Sequence, residues 1–476
     1  MELLRRYEDM LRNGQQVYFD AEDLEDIAYQ YELAEQYTEA LDAIEYGLTL
    51  HPEEPELLVR RAGYLLCLDR IEEADAQIES VPNCSIDALL IRAEIALIKG
   101  NKEVAIEYID RLLDDDELTW EVCLDVIDLY LDYDCMSQVE AFVAEACNRI
   151  PEESGNLRRE LARVYEEQQL IDKAIAIYNE LLDSDPYSHA DWFDMARLLA
   201  TQGKYDEAIE ACDFALAIDD SLIDIMIFRG CCLYDKGEVQ EAKNTFAEII
   251  KIAEDKPLAH AMMAACYSHD GLYSDAVESL KTALRYTEGL LCADLYFQLA
   301  TYYYNLEDIP HTREALEKVL EIDDTHIDSM NFLGELCMRV GELERAEHLF
   351  LRVLELDSEN LPANQYLARL MEVMAASEND SDISAMYGSL VIRYLERVSE
   401  LSYENDIEAL LSLTLAHFKY GDVDKAMELA GKIEHIVKDS DKWNDLTPKN
   451  RERLTYLGNI LEYLRKRLSR DLDAEL

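Results

Sequence analysis

Few residues in this chain are spaced for covalent or metal chemistry. His260 and His269 stand nine positions apart, too far for the i, i+4 pair that grips zinc from one helix face, and no H-E-x-x-H motif accompanies them. His260 falls instead on a large-residue packing position. Cys231 and Cys232 are adjacent, so on a helix they point about 100° apart, a poor geometry for a shared metal. No C-x-x-C occurs among the eleven cysteines, which suits reduced, packed thiols. Gly203-Lys204 has the last glycine and lysine of a phosphate loop, but the upstream glycine is missing and Tyr205 replaces the metal-binding hydroxyl. With 102 Asp and Glu residues, carboxylate pairs occur everywhere and none stands out as a tuned acid and base. The sequence therefore predicts no catalytic residue, no metal site and no cofactor.

What remains is chemistry of recognition. The formal net charge of −58 creates a field that repels phosphate backbones, which argues against direct nucleic-acid binding. It either keeps a long surface soluble or receives a basic protein or peptide. Three arginines break the acidic pattern, Arg159, Arg163 and Arg197, with Phe193 nearby. Guanidinium groups grip carboxylate or phosphate bidentately, and the competing use is pairing along the helix with Glu160, Glu166 or Glu167.

The elements that carry these residues follow from a repeat. Ala174, Ala208, Ala242 and Ala276 stand 34 residues apart, closing the phrases QLIDKA, GKYDEA, GEVQEA and GLYSDA. Ala40, Ala74, Ala105, Val139, Thr312, Ala346 and Ala426 continue the series with small slips. A fixed period of this length means one supersecondary unit copied along the chain. Gly100, Gly203, Gly237, Gly271, Gly341 and Gly421 fall at the turns, where a left-handed residue ends a helix. Each unit reads as helix, short turn, helix. Small residues at the crossing let two helices approach to about 8 to 10 Å while bulky ones fill the flanks.

The pattern resembles the tetratricopeptide repeat. Leu24, Ile27, Ala28, Tyr31, Ala40, Ile44, Gly47 and Pro52 occupy that family's key positions in the first unit. Trp192, Met195, Ala196, Leu199, Ala208, Cys212 and Ala215 do so in another, as do Leu333, Gly334, Ala346 and Phe350. The resemblance implies an all-α solenoid, a right-handed superhelix of about twelve helical hairpins with capping helices. It also implies that positions 2, 5, 9 and 12 of each first helix line a groove for peptides. Those positions include Glu25, Tyr29 and Glu32, then Arg159 and Arg163, Phe193 and Arg197, Ile227 and Tyr234, and Phe297 and Tyr304. Before the arginines the stripe is acidic, with Glu22, Glu56, Asp87, Glu94, Glu121 and Asp128. The Lys and Asn clamp by which some members hold an acidic C-terminus is not matched.

The predicted organisation is an N-terminal capping helix over 1–20, a main array over 21–374, a polar hinge over 375–384, a C-terminal module over 385–446 and a basic capping helix over 447–476. The second helix near Glu72 to Ser80 is expected to be short. A signal peptide is not apparent, because Glu2, Glu8 and Asp9 interrupt any apolar start, and no stretch reaches the roughly 20 apolar residues of a membrane span. The expectation is a cytoplasmic, non-enzymatic scaffold for an unknown protein or peptide, possible also as a homo-oligomer. Two alternatives stand beside it: an accessory subunit of an enzyme complex, and a self-assembling structural protein whose acidic groove receives its own basic C-terminal helix.

Overall fold

The structure is a computed structural model, and it describes residues 2–14, 16–82, 85–114, 118–402 and 406–438 together with six scattered positions beyond 447. The secondary structure among these residues is helical. Helix α1 (Glu2–Asn13) precedes six hairpins: α2 (Ala21–Glu32) with α3 (Tyr37–Leu50), α4 (Pro55–Cys67) with α5 (Ile71–Glu79), α6 (Ile86–Ile98) with α7 (Lys102–Leu113), α8 (Trp120–Asp132) with α9 (Met136–Arg149), α10 (Ser154–Glu167) with α11 (Ile171–Ser184), and α12 (His189–Thr201) with α13 (Tyr205–Ile218). Six more follow: α14 (Ile223–Lys236) with α15 (Val239–Ile252), α16 (Pro257–His269) with α17 (Tyr273–Leu284), α18 (Leu291–Asn305) with α19 (Ile309–Ile322), α20 (Ile327–Val340) with α21 (Leu343–Leu356), α22 (Leu361–Ser377) with α23 (Ser381–Leu401), and α24 (Ile407–Tyr420) with α25 (Val423–Lys438). Twelve helical hairpins are thus present among the described residues, and α5 is the short second helix the sequence predicts.

The recurring small residue sits at the crossing of each pair. Ala40, Ala74, Ala105, Ala174, Ala208, Ala242, Ala276, Ala346 and Ala426 are all 0% exposed, and so are their substitutes Val139 and Thr312. The opposing small position is tighter still in two hairpins: a Cβ built at Gly230 would lie 2.7 Å from the Phe246 ring, and one at Gly334 2.5 Å from the Phe350 ring. Glycine in these helices lets an aromatic ring from the second helix rest against bare backbone.

The turns divide into two classes. Gly100, Gly203, Gly237, Gly271 and Gly341 take positive φ, and where glycine is missing the same turn position is held by Glu35, Asp69, Asp134, Gln169 and Glu307, also with positive φ. Gly421 departs from the expected left-handed conformation, with φ −129°. A Cβ there would meet the terminal methyl of Ile392 at 2.7 Å, so that side chain would have to shift.

The chain forms two compact units, Met1–Ile225 and Met226–Leu476, so the division falls within α14 rather than in the polar stretch 375–384. That stretch is largely helical: α22 continues to Ser377 and α23 begins at Ser381, leaving three residues between them. The Asp380 carboxylate accepts from the backbone N–H groups of Asp382 and Ile383 and so starts α23. The Ser384 hydroxyl donates to the Ala375 carbonyl at 2.9 Å and ties the two helix ends. Polar residues there cap a tight turn, which sequence periodicity cannot distinguish from a hinge. In the first unit, Tyr7 and Met10 of α1 join the buried cluster formed by α2 to α6, with Leu3 and Leu4 packed at its edge. Leu11, next to Met10 on α1, is 58% exposed. The predicted basic helix of 447–476 lies almost wholly outside the described residues.

Candidate binding face

In α2 the residues at positions 4, 7, 8 and 11, Leu24, Ile27, Ala28 and Tyr31, are buried, which leaves 2, 5, 9 and 12 on the other side. The first helices also touch one another, α2 against α4, α4 against α6, α6 against α8, and α20 against α22. Their free sides therefore run together over α2 to α8 and again at α20 and α22.

In the first unit this face is acidic. Glu25 is half-buried, Tyr29 is 52% exposed, and Glu32 accepts the Tyr64 hydroxyl at 2.8 Å from the neighbouring first helix. Burial pushes the Glu25 carboxyl above its ordinary range; Arg60 opposes this, while Glu56, Glu54 and Glu22 add to it. Burial likewise raises Glu94, with Asp132 contributing. It raises Asp125 beside Asp128, Asp87 and Glu121. For Asp128 burial again leads; Arg163 opposes it, and the like charges of Glu160, Asp132 and Glu167 add to it. The carboxylates of α2, α4, α6, α8 and α10 thus act on one another along this face, with Arg60 and Arg163 opposing. Asp125 and Asp132 were not legible as members of this row, because they lie one residue outside the stripe.

Further along the same unit the three arginines converge. Arg159, Arg163 and Arg197 line an open hollow of about 480 Å³ with Trp120, Asn156, Glu160, Glu166, Tyr178 and Asp194. None of the guanidinium groups is idle. Arg159 donates from Nε and Nη2 to the two oxygens of Asp191 at 2.6 and 2.9 Å, and from Nη1 to Asn156 at 3.1 Å. Asp191 is 1% exposed. Burial works to raise its carboxyl, but the bonds from Arg159 and from Ser188, with the Arg159 charge, hold it below the ordinary range. Arg163 lies between Glu160 and Glu167 on its own helix. Arg197 spans Asp194 at 3.4 Å and Glu166, on the preceding first helix, at 3.3 Å. The pairing of Arg163 is the along-helix one foreseen from sequence, whereas Arg159 and Arg197 bridge α10 to α12. Phe193 is half-buried on α12. Trp120 and Tyr178 escaped the sequence reading: Trp120 opens its helix at position 1, and Tyr178 comes from a second helix.

In the second unit, Ile227 is 5% exposed and offers no contact surface, and Tyr234 is half-buried. Phe297 and Tyr304 of α18 both meet Phe332 of α20 edge-on, with ring centroids 6.3 and 5.2 Å apart. Arg339 lies over the Tyr304 ring and donates to its hydroxyl. These aromatics join successive first helices and are only partly covered.

Among the described residues no group of three or more His, Cys, Asp or Glu side chains is placed to hold a metal ion. Burial pushes the Cys231 thiol up to about 12 and those of Cys232 and Cys266 to about 11, far from the range of a reactive thiolate. No described helix is long and apolar enough to cross a membrane.

Comparison with known proteins gives one consistent answer. Tetratricopeptide repeat profiles match residues 138–189 and 159–223, 199–266, 293–326 and 329–362. A TPR repeat-containing protein of Methanocaldococcus jannaschii is 25% identical over 315 residues, covering 64% of this chain and 52% of that protein. The chain thus spans about half the length of that relative. The human DnaJ homolog subfamily C member 7 is 23% identical over 369 residues, covering 73% of this chain and 69% of the human protein. Among solved structures, yeast Tom70 is 15% identical and covers 94% of this chain and 96% of its own, with a TM-score of 0.38.

Proposed function

Because this chain is a tetratricopeptide repeat protein, a class of module that generally mediates protein–protein contacts, we propose that it is a non-enzymatic scaffold that holds a segment of another protein along the free face of its first helices. The observation that carries this reading is the acidic row along the first helices of the first unit. Glu25, Glu94, Asp125 and Asp128 are all held above their ordinary range, first by desolvation and then by neighbouring carboxylates, against Arg60 at Glu25 and Arg163 at Asp128. A face on which carboxylates outnumber cations is complementary to a basic partner. Packed helices lie about 8 to 10 Å apart and an extended chain advances about 3.3 Å per residue. A segment with lysine or arginine at every third position therefore offers one cation to each first helix. The cytoplasm is the compartment that fits reduced, buried thiols.

Affinity capture with mass spectrometry tests this, comparing the natural chain with a variant carrying E25Q, E56Q, E94Q and D128N. A protein recovered by the natural chain and lost with the variant supports the face as the binding surface. Equal recovery of every captured protein by both forms removes it.

A further inference from the structure

The last hairpin of the described residues is joined to the one before it around a histidine. Ile407, Leu411, Ala430 and Ile433 form a buried cluster belonging to α24 and α25 themselves, whereas Ala416 and Tyr420 of α24 pack into the cluster of the preceding helices. His417 stands between those two residues in the chain and is 4% exposed. It takes position 11 of its first helix, the packing slot that holds Tyr31, Leu65, Tyr165, Leu233, Cys337 and Met371 in other hairpins, none of which gains a proton near neutral pH. Both of its ring nitrogens are buried without a hydrogen-bond partner among the described residues. A Cβ built at Gly421 would stand 3.0 Å from Nδ1, so that nitrogen rests against bare glycine at the end of α24. On the α23 side, Nε2 is 3.9 Å from Oε1 of Glu396, beyond hydrogen-bond reach, and Lys425 of α25 already donates to that same oxygen at 2.6 Å. Of the other charged groups around the joint, Asp422 is exposed in the turn, and Lys419 lies 3.6 Å from Glu372 of α22.

We propose that His417 is a proton-operated latch: with the imidazole neutral, α24 and α25 dock on α23, and protonation in mild acid releases the two helices as a pair and bares Ile392 of α23, which lies against Gly421. The protonated ring would be a charge sealed from water, with one carboxylate oxygen shared between it and Lys425. Burial first, and Lys425 second, hold His417 below its ordinary range, while Glu396 and Asp422 oppose them. A depressed folded value means that the stabilisation is complete above the unfolded value near 6.5 and is lost as pH falls through the folded one. In a repeat array each unit is held by its neighbours, so an end unit can open while the rest stays folded. The latch is independent of the first-unit binding face.

The test is hydrogen exchange of the full chain at pH about 7.5 and about 5.5, read by mass spectrometry and corrected for the intrinsic rate. Protection of α24 and α25 relative to α20 and α21 is expected to fall several-fold at the lower pH, up to about tenfold, the limit that one proton sets one unit below the unfolded histidine value. H417L fills the slot without a proton site and should hold the same protection at both pH values; His435, exposed on α25, remains in that variant. Should H417L lack protection already at the higher pH, K425Q decides instead. It leaves Glu396 to the imidazolium and should shrink the acid response by about half or more. A natural chain equally protected at both pH values would overturn the latch, and so would an H417L chain that loses as much protection in acid as the natural one. Where K425Q decides, a response as large as that of the natural chain would overturn it.

Discussion

Replacing Gly334 by alanine probes the packing rule on which every hairpin depends. In an open helix position this change stabilises by about 1 kcal/mol, because alanine orders more cheaply than glycine. Here the added methyl would sit 2.5 Å from Phe350 Cε1 and 2.6 Å from Cζ, so the contact must widen by about 1 Å to reach the ordinary carbon separation. Phe350 has little room to yield: it is 0% exposed and stacked on Tyr366 at 5.1 Å with an 11° interplanar angle. Overpacking of this kind costs about 1 to 3 kcal/mol, and the upper half of that range applies where both partners are buried. The expected net effect is a loss of about 1 to 2 kcal/mol, read by urea denaturation followed by circular dichroism. Phe350→Leu should relieve the clash, so G334A/F350L should show a favourable coupling of at least about 1 kcal/mol relative to the two single changes. A G334A chain more stable than the natural one, or a coupling near zero, would refute the packing rule at this crossing.

Glu307 holds a left-handed turn at φ 58°, so Glu307→Gly should stabilise by about 0.5 to 1 kcal/mol, seen as a higher melting midpoint. Asp191→Asn should destabilise at pH 7 by about 1 to 2 kcal/mol, discounted because Arg159 is 40% exposed. Since the Asp191 carboxyl is held below its ordinary range, its contribution is present above the unfolded value near 4 and is lost as pH falls through the folded one. The gap between D191N and the natural chain should therefore close in denaturation runs at pH 2 to 3. Glu25, Glu94, Asp125 and Asp128 shift upward, which has the opposite sign: their ionised forms cost stability above their folded pKa values, and that cost is relieved as pH falls through them. Raising salt from about 0.02 to 0.5 M at pH 7 should raise the melting midpoint by screening the repulsion within a chain of net charge −58, and an unchanged midpoint would contradict that repulsion.

The fold was legible because its key signal is steric and periodic. Alanine at the same slot of unit after unit can only be a crossing, and all of those alanines are fully buried. Polar turns were harder. Asp380 caps α23 with its own side chain, and from sequence a capped three-residue turn looks like a longer polar loop. The turn position filled by Glu35, Asp69, Asp134, Gln169 and Glu307 gives no residue-type signal, since the repeat imposes the conformation. On the candidate face the stripe of positions includes Glu25, Arg159, Arg163 and Arg197, but a single helix cannot report its neighbour. Asp191 occupies position 3, outside both the packing positions and the stripe, and only the adjacent helix brings Arg159 to it at 2.6 Å. Ile227 fits the stripe by spacing but is drawn into the core, where apolar gain outweighs the periodicity of one helix.

Zero-length carbodiimide coupling of a lysine-bearing peptide to the full chain tests the binding face most directly, because it joins an amine only to a carboxylate it already touches. With a repeated Gly-Ser-Lys peptide, the couplings mapped by mass spectrometry should concentrate on first-helix carboxylates, Glu25, Glu56, Glu94 and Asp128. They should be sparse on the second-helix carboxylates Glu39, Glu72, Glu103 and Glu145, although all four are exposed while Glu25 and Glu94 are half-buried. Couplings spread evenly over both sets would show that the peptide senses only net charge, and would contradict a groove built along the first helices.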